Sequence, residues 1–166
     1  DNYVEHGINF ISISFQGTNG GFPDVNAGPN GFTYDGRLIP AFANRAEVII
    51  READKRAMVV CLVVSMPRKD ELLEDEAAIK NAIQETGKFL ETRGLKNVMV
   101  NLFQEFHHPS RISHEIFREP NGQQKKAKLS AWFKEVAPRI EVGICPNHMN
   151  SSEYNYPGSD INYFQE

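Results

Sequence analysis

Glu105 follows the apolar run Val98 to Phe103, with the amide of Gln104 immediately before it and two imidazoles, His107 and His108, just after. A carboxyl group at the end of a strand can give and take a proton, and a neighbouring imidazole can hold a hydroxyl or tune the carboxyl's pKa. The bland reading stands beside this one: a glutamate there can be a solvated or salt-bridged rim residue, and the histidines can form a polar loop before Pro109. Gln16 and Asn147 also fall at the ends of apolar stretches. Each could contact a ligand hydroxyl, or cap backbone groups in its own loop.

Other chemistries lose their support on spacing. A zinc site needs several convergent ligands, and His107, His108, His114 and His148 show no familiar ligand spacing, so no metal is expected. Gly20, Gly21 and the glycines around them do not form the Gly-x-Gly-x-x-Gly turn, and no phosphate loop ending in Gly-Lys-Ser/Thr occurs. No cofactor is expected. Asn150-Ser151-Ser152 matches the N-glycosylation sequon, which matters only in a protein secreted by a eukaryote.

The elements that must position these residues alternate along the chain. Ile8 to Gln16 reads as a strand, and a loop from Gly17 to Gly36 follows, holding six glycines and two prolines, a length that usually signals function. Arg37 to Arg56 has helical spacing through Leu38, Phe42, Ala46, Ile49 and Ile50. Met58 to Val64 reads as a buried strand. Asp70 to Arg93 reads as one long helix with acidic residues crowding its first turn and Gly94 past its end. Asn97 to Phe106 is the third strand, Leu129 to Val136 the clear part of another helix, Arg139 to Cys145 the fourth strand and Ile161 to Gln165 a fifth. Trp132, spaced with Leu129, Phe133 and Val136, reads as packing.

Composition narrows the class further. The 166 residues amount to one domain, 40% hydrophobic and 24% charged, which excludes disordered and fibrous chains. A net charge of −4 with scattered Lys and Arg argues against a nucleic-acid partner. The run Ala57 to Val64 is far shorter than the roughly 20 residues of a membrane helix. Asp1-Asn2-Tyr3 has no signal-peptide pattern, although a processed N-terminus is open, and two cysteines leave the redox compartment open.

Strands alternating with helices predict an α/β fold with a parallel sheet. Length suits a five-stranded doubly wound sheet, because a (β/α)8 TIM barrel typically takes about 250 residues. Alternation points the other way. Ile11, Ile13 and Phe15 oppose Ser12, Ser14 and Gln16; Val98, Val100 and Leu102 oppose Asn101, Phe103 and Glu105; Ile140, Val142 and Ile144 oppose Glu141, Gly143 and Cys145. One apolar and one partly polar face fit a barrel wall with helices outside and a site at its C-terminal mouth.

Several stretches resemble a known family. Gly31-Phe32-Thr33-Tyr34-Asp35-Gly36, followed by a helix ending in Glu52-Ala53-Asp54-Lys55-Arg56-Ala57-Met58-Val59-Val60, is similar to the second βα unit and third strand of cellulase-like retaining glycoside hydrolases with (β/α)8 barrels. Asn97 to Pro109 resembles their fourth strand, which ends in Asn-Glu with the acid/base glutamate. Phe15-Gln16-Gly17 resembles the end of their second strand, and Pro157-Gly158-Ser159-Asp160-Ile161 the approach to the sixth.

The resemblance implies that residues 1–166 form a single partial domain, a sector of about five βα units holding strands two to six. It makes Glu105 the acid/base and places the nucleophilic glutamate on the seventh strand, beyond Glu166. Retaining enzymes need the two carboxyls about 5–5.5 Å apart. Gln104 departs from the family's asparagine, which hydrogen-bonds the sugar's 2-hydroxyl, by one methylene. Carbohydrate becomes the implied partner, a neutral β-linked polysaccharide or oligosaccharide, with Gln16, Gln104, His107, His108 and Asn147 as substrate contacts. Phe22, Tyr34, Phe106, Tyr154 and Tyr156 become candidate subsite walls or loop anchors. The implied compartment is extracellular or periplasmic. The open sheet edges would be covered by the remainder of the barrel or by another subunit.

Two alternatives stay open: a non-catalytic glycan-binding or structural barrel, and a doubly wound domain binding a small ligand. Sequential strand order marks the barrel and the order 2-1-3-4-5 the open sheet. Cys61 and Cys145 lie on next-nearest strands, about 9–10 Å apart at the usual strand spacing, so both thiols should be free.

Overall fold

The computed structural model describes residues 2–17, 30–109, 111–147 and 156–163. A single-turn helix, α1 (Asn2–Glu5), precedes β1 (Phe10–Ser14). Helix α2 (Pro40–Asp54) opens on a proline, whose missing N–H has no partner to lose in a first turn. β2 (Val59–Ser65) is buried at every position after its first, as a valine-rich strand covered on both faces should be.

α3 (Glu76–Arg93) begins later than its acidic run suggests. Asp75 is the N-cap, its carboxylate accepting the Ala78 N–H at 2.8 Å, while Asp70–Leu72 forms a separate 3-10 turn. The cap takes the residue out of helical geometry, so the predicted start at Asp70 is corrected to Glu76. β3 (Val98–Phe103), a 3-10 turn at Glu115–Phe117, α4 (Gly122–Lys134) and β4 (Glu141–Gly143) complete the order.

All four strands are parallel and lie in the order β1-β2-β3-β4. The doubly wound order 2-1-3-4 is therefore not formed. Right-handed crossovers between sequential parallel strands carry every connecting helix to one face. The main hydrophobic core sits there, with Val60, Leu62, Val64, Val98, Val100, Leu102 and Val142 in one cluster with Ile50, Ile79, Ile83 and Phe133. Trp132 is 8% exposed, as its spacing predicts. No helix of the described residues is long and apolar enough to cross a membrane.

The opposite face is mixed. Register sets Ser12, Cys61, Met99 and Glu141 abreast, and above them Ser14, Val63, Asn101 and Gly143. Both cysteines are buried free thiols, as their strand positions require.

The expected fifth strand is not formed over Ile161–Tyr163; its remainder lies outside the described residues. Asp160 takes the edge of β4 instead, donating its N–H to Val142 O at 2.9 Å and accepting the Val142 N–H on its carboxylate at 3.0 Å. The chain then crosses the mixed face. Ile161 O would lie 2.4 Å from a Cβ at Gly143 and the Tyr163 ring 3.0 Å from it, so only glycine at this position admits the crossing. The Cys61 thiol donates to the Tyr163 hydroxyl at 3.7 Å, and burial pushes both groups above their ordinary pKa ranges, leaving both neutral.

Candidate active site at the end of β3

The C-terminal ends of the strands gather most of the predicted site residues. β3 and β4 part from regular pairing there. Cys145 donates its N–H to Phe103 O at 3.2 Å and accepts the Phe106 N–H at 2.8 Å. A regular parallel ladder would place those partners on either side of a single residue. Here both Gln104 and Glu105 lie between them, so Cys145 faces a β-bulge, a device common beside active sites. Glu105 adopts φ 56° and His107 φ 64°, left-handed conformations that cost a non-glycine residue about 1–3 kcal/mol each.

The bulge changes how Glu105 is oriented. Alternation counted from Asn101 predicts its face, but the extra residue breaks the count, and the turn sets the direction instead. Glu105 is half-buried, with Oε2 sealed from solvent. Its backbone N–H faces Cys145 Sγ, and its carbonyl accepts the His108 N–H at 3.1 Å. Burial raises the Cys145 thiol above the ordinary cysteine range, so the sulfur beside Glu105 is protonated and not a nucleophile.

His107 holds the far side of the turn. Its N–H bonds to Phe117 O at 2.9 Å, and its Nδ1 accepts the Glu119 N–H at 2.9 Å. A neutral imidazole that accepts on Nδ1 carries its hydrogen on Nε2, which makes Nε2 a donor. The Phe117 ring stacks on Phe103 with centroids 3.9 Å apart, tying this loop to the strand.

The Asn101 and Gln104 side chains close a hydrogen-bonded ring below Glu105 with the sulfur and backbone N–H of Cys145. Asn101 Nδ2 donates to Gln104 Oε1 at 2.8 Å, Gln104 Nε2 donates to Cys145 Sγ at 3.3 Å, and the Cys145 N–H donates to Asn101 Oδ1 at 3.1 Å. Strand alternation puts Asn101 and Cys145 on one face but not in one hydrogen-bonded ring. Their shared parity was the available signal.

The remaining expectations divide. Gln16 is fully buried and its amide is engaged by the protein, Oε1 accepting the Ser65 hydroxyl at 2.5 Å and Nε2 donating to Asn30 Oδ1 at 3.0 Å and Lys69 O at 3.1 Å. It braces its loop, the second of the two roles its position offers. Asn147 is half-buried at the end of β4's continuation, its N–H bonded to Phe106 O at 3.1 Å. Phe106 and Tyr156 are buried anchors, not open walls. The Lys126 ammonium lies over both rings, and the Tyr156 hydroxyl meets Ser130 Oγ at 3.2 Å. Tyr34 is 61% exposed. Phe22, His148, Tyr154 and the sequon lie outside the described residues. Among the described residues no group of His, Cys, Asp and Glu is placed to hold a metal ion.

No protein-family model matches this sequence, and no curated protein matches it either. A likeness exists among solved structures. The crystal structure of a glycoside hydrolase matches with TM-score 0.58 and 13% identity, over 92% of this chain and 47% of that one. The chain thus spans about half the length of that protein. Identity this low makes the likeness one of fold: this chain has a glycoside hydrolase-like α/β fold with a four-stranded, all-parallel sheet.

Proposed function

We propose that the chain is a sector of a (β/α)8 barrel that hydrolyses β-glycosidic bonds with retention in a neutral polysaccharide or oligosaccharide outside the cytoplasm. Glu105 is the acid/base, and the nucleophilic carboxylate comes from outside this chain, with further strands covering the free sheet edges. In the first step the nucleophile attacks the anomeric carbon while Glu105 gives its proton to the departing glycosidic oxygen. In the second, Glu105 takes a proton from water, whose oxygen displaces the nucleophile. In this reading His107, through its Nε2–H, His108 and Asn147 meet sugar hydroxyls at the barrel mouth.

The observation that carries this reading is Glu105 on a bulge at the C-terminal edge of sequential parallel strands, where barrel enzymes keep their chemistry. The fold likeness to a glycoside hydrolase supports the substrate class. In the full-length protein, Glu105→Gln is expected to lower turnover by about 10²–10⁴-fold while glycan binding persists. Unchanged turnover would remove Glu105 from the mechanism.

A second reading is a barrel that binds glycan without cleaving it. The Gln104 amide, engaged by Asn101 and Cys145, favours it. Glycan binding by the full-length protein with no release of reducing sugar would decide for this reading.

A further inference from the structure

Every link of the ring below Glu105 joins two protein groups, and its logic runs in one direction. The Cys145 N–H obliges Asn101 to present Oδ1 to it, which turns Nδ2 toward Gln104. Gln104 must then present Oε1 to Asn101, which leaves Nε2 facing Cys145 Sγ. Asn101 is 1% exposed and Cys145 3%, so neither can exchange its partner for water. The Glu105 backbone N–H faces the same sulfur. Cys145 therefore receives hydrogen bonds from both residues of the bulge, while Gln104's own N–H continues the ladder to Ser65 O at 3.0 Å. Asparagine at position 104 would be one methylene short of this span.

We infer that Gln104 is a positioning residue, whose amide, closed in a ring with Asn101 and Cys145, fixes the bulge that aims Glu105 and does not read the sugar. The ring ties β3 to β4 at the place where the ladder is interrupted. For activity the inference rests on the proposal that Glu105 transfers the proton; for structure it stands alone. It also specifies selectivity: the residue before the acid/base imposes no requirement for a 2-hydroxyl on the sugar being cleaved.

The test compares wild type with Gln104→Leu, which keeps the bulk and removes the amide, in the full-length protein. Alkylation of Cys145 by iodoacetamide, followed by mass spectrometry of its own peptide, should slow about tenfold, because the thiolate that reacts loses the Gln104 hydrogen bond that stabilises it. On an aryl β-glycoside and its 2-deoxy counterpart, kcat should fall about tenfold by the same factor on both, with KM within about twofold. Cys145→Ser, whose hydroxyl still accepts from Gln104, should keep kcat within about threefold of wild type. Cys145→Ala should match Gln104→Leu, and the double variant should be no worse than either single one, because the residues act as a unit. A kcat loss confined to the 2-hydroxyl substrate, or an unchanged Cys145 alkylation rate, overturns the inference. If wild type cleaves neither glycoside, the proposed function fails while the alkylation arm still decides for or against the ring.

Discussion

Two carboxylates stand beyond the C-terminal ends of neighbouring strands, and they are held in opposite ways. Asp70, after β2, is fully buried, with Oδ2 accepting the backbone N–H groups of Ser113 at 2.7 Å and His114 at 2.9 Å. Its Oδ1 has no hydrogen-bond partner among the described residues. Glu105, after β3, is half-buried on a left-handed turn. Asp70 clips the β2–α3 connection to the segment after β3, and its carboxylate is committed to that task. Glu105 sits in a conformation that its neighbours must enforce, and this marks a group placed for something other than stability. Asp70 should therefore matter to folding and Glu105 to turnover.

Alanine at each position separates the two roles most sharply. Glu105→Ala should lower turnover of the full-length protein by about 10²–10⁴-fold, yet move the unfolding free energy by less than about 1 kcal/mol, read by a urea melt. Asp70→Ala should lose about 2 kcal/mol of stability, because the Ser113 and His114 N–H groups would lose the acceptor that ties their segment to the β2–α3 connection. A large stability loss at Glu105, or none at Asp70, would collapse the contrast.

A finer cut follows from charge. Burial pushes the Asp70 pKa above the ordinary aspartate value, against the lowering effect of the His114 and Ser113 N–H groups. A carboxyl whose folded pKa is raised contributes fully below its unfolded pKa, and that contribution is lost as pH rises through the folded pKa. Asp70→Asn stays neutral and keeps an oxygen for both N–H groups. Its stability should match wild type in acid and exceed it increasingly between the ordinary aspartate pKa and Asp70's raised one. The gain should be about 1.4 kcal/mol per pKa unit of elevation, then level. Urea melts across that pH range giving a constant difference would mean that Asp70 is not penalised by its burial.

Sequence made one half of this picture plain and hid the other. The helix-facing sides of β2 and β3, with Val60, Leu62, Val98 and Val100, follow from period-two alternation, and Trp132 from helical spacing. Glu105 is visible as a carboxylate ending a strand. Its bulge is not, because an extra residue is defined only by the bonds Cys145 makes from another strand. Asp70 was hidden for a related reason. In an acidic run it resembles a helix's first turn, and only the distant Ser113 and His114 reveal what it holds. Phe106 and Tyr156 look like sugar platforms by type, but Lys126 and Ser130 draw them into the interior.

The smallest expected effect tests the strain itself. At φ 56°, Glu105 occupies a region that glycine enters freely and other residues enter at about 1–2 kcal/mol. Glycine also gives up more freedom on folding, about 0.5–1 kcal/mol against alanine, so the two effects partly offset. Glu105→Gly should accordingly be more stable than Glu105→Ala by about 0.5–1 kcal/mol in paired denaturant melts, although neither retains the carboxylate. Gln104, absent from the positive-φ residues, supplies the control: both its variants lose the ring's amide, and there glycine should be the less stable of the pair. If alanine proves at least as stable as glycine at 105, the turn carries no strain, and the contrast with Asp70 would rest on burial alone.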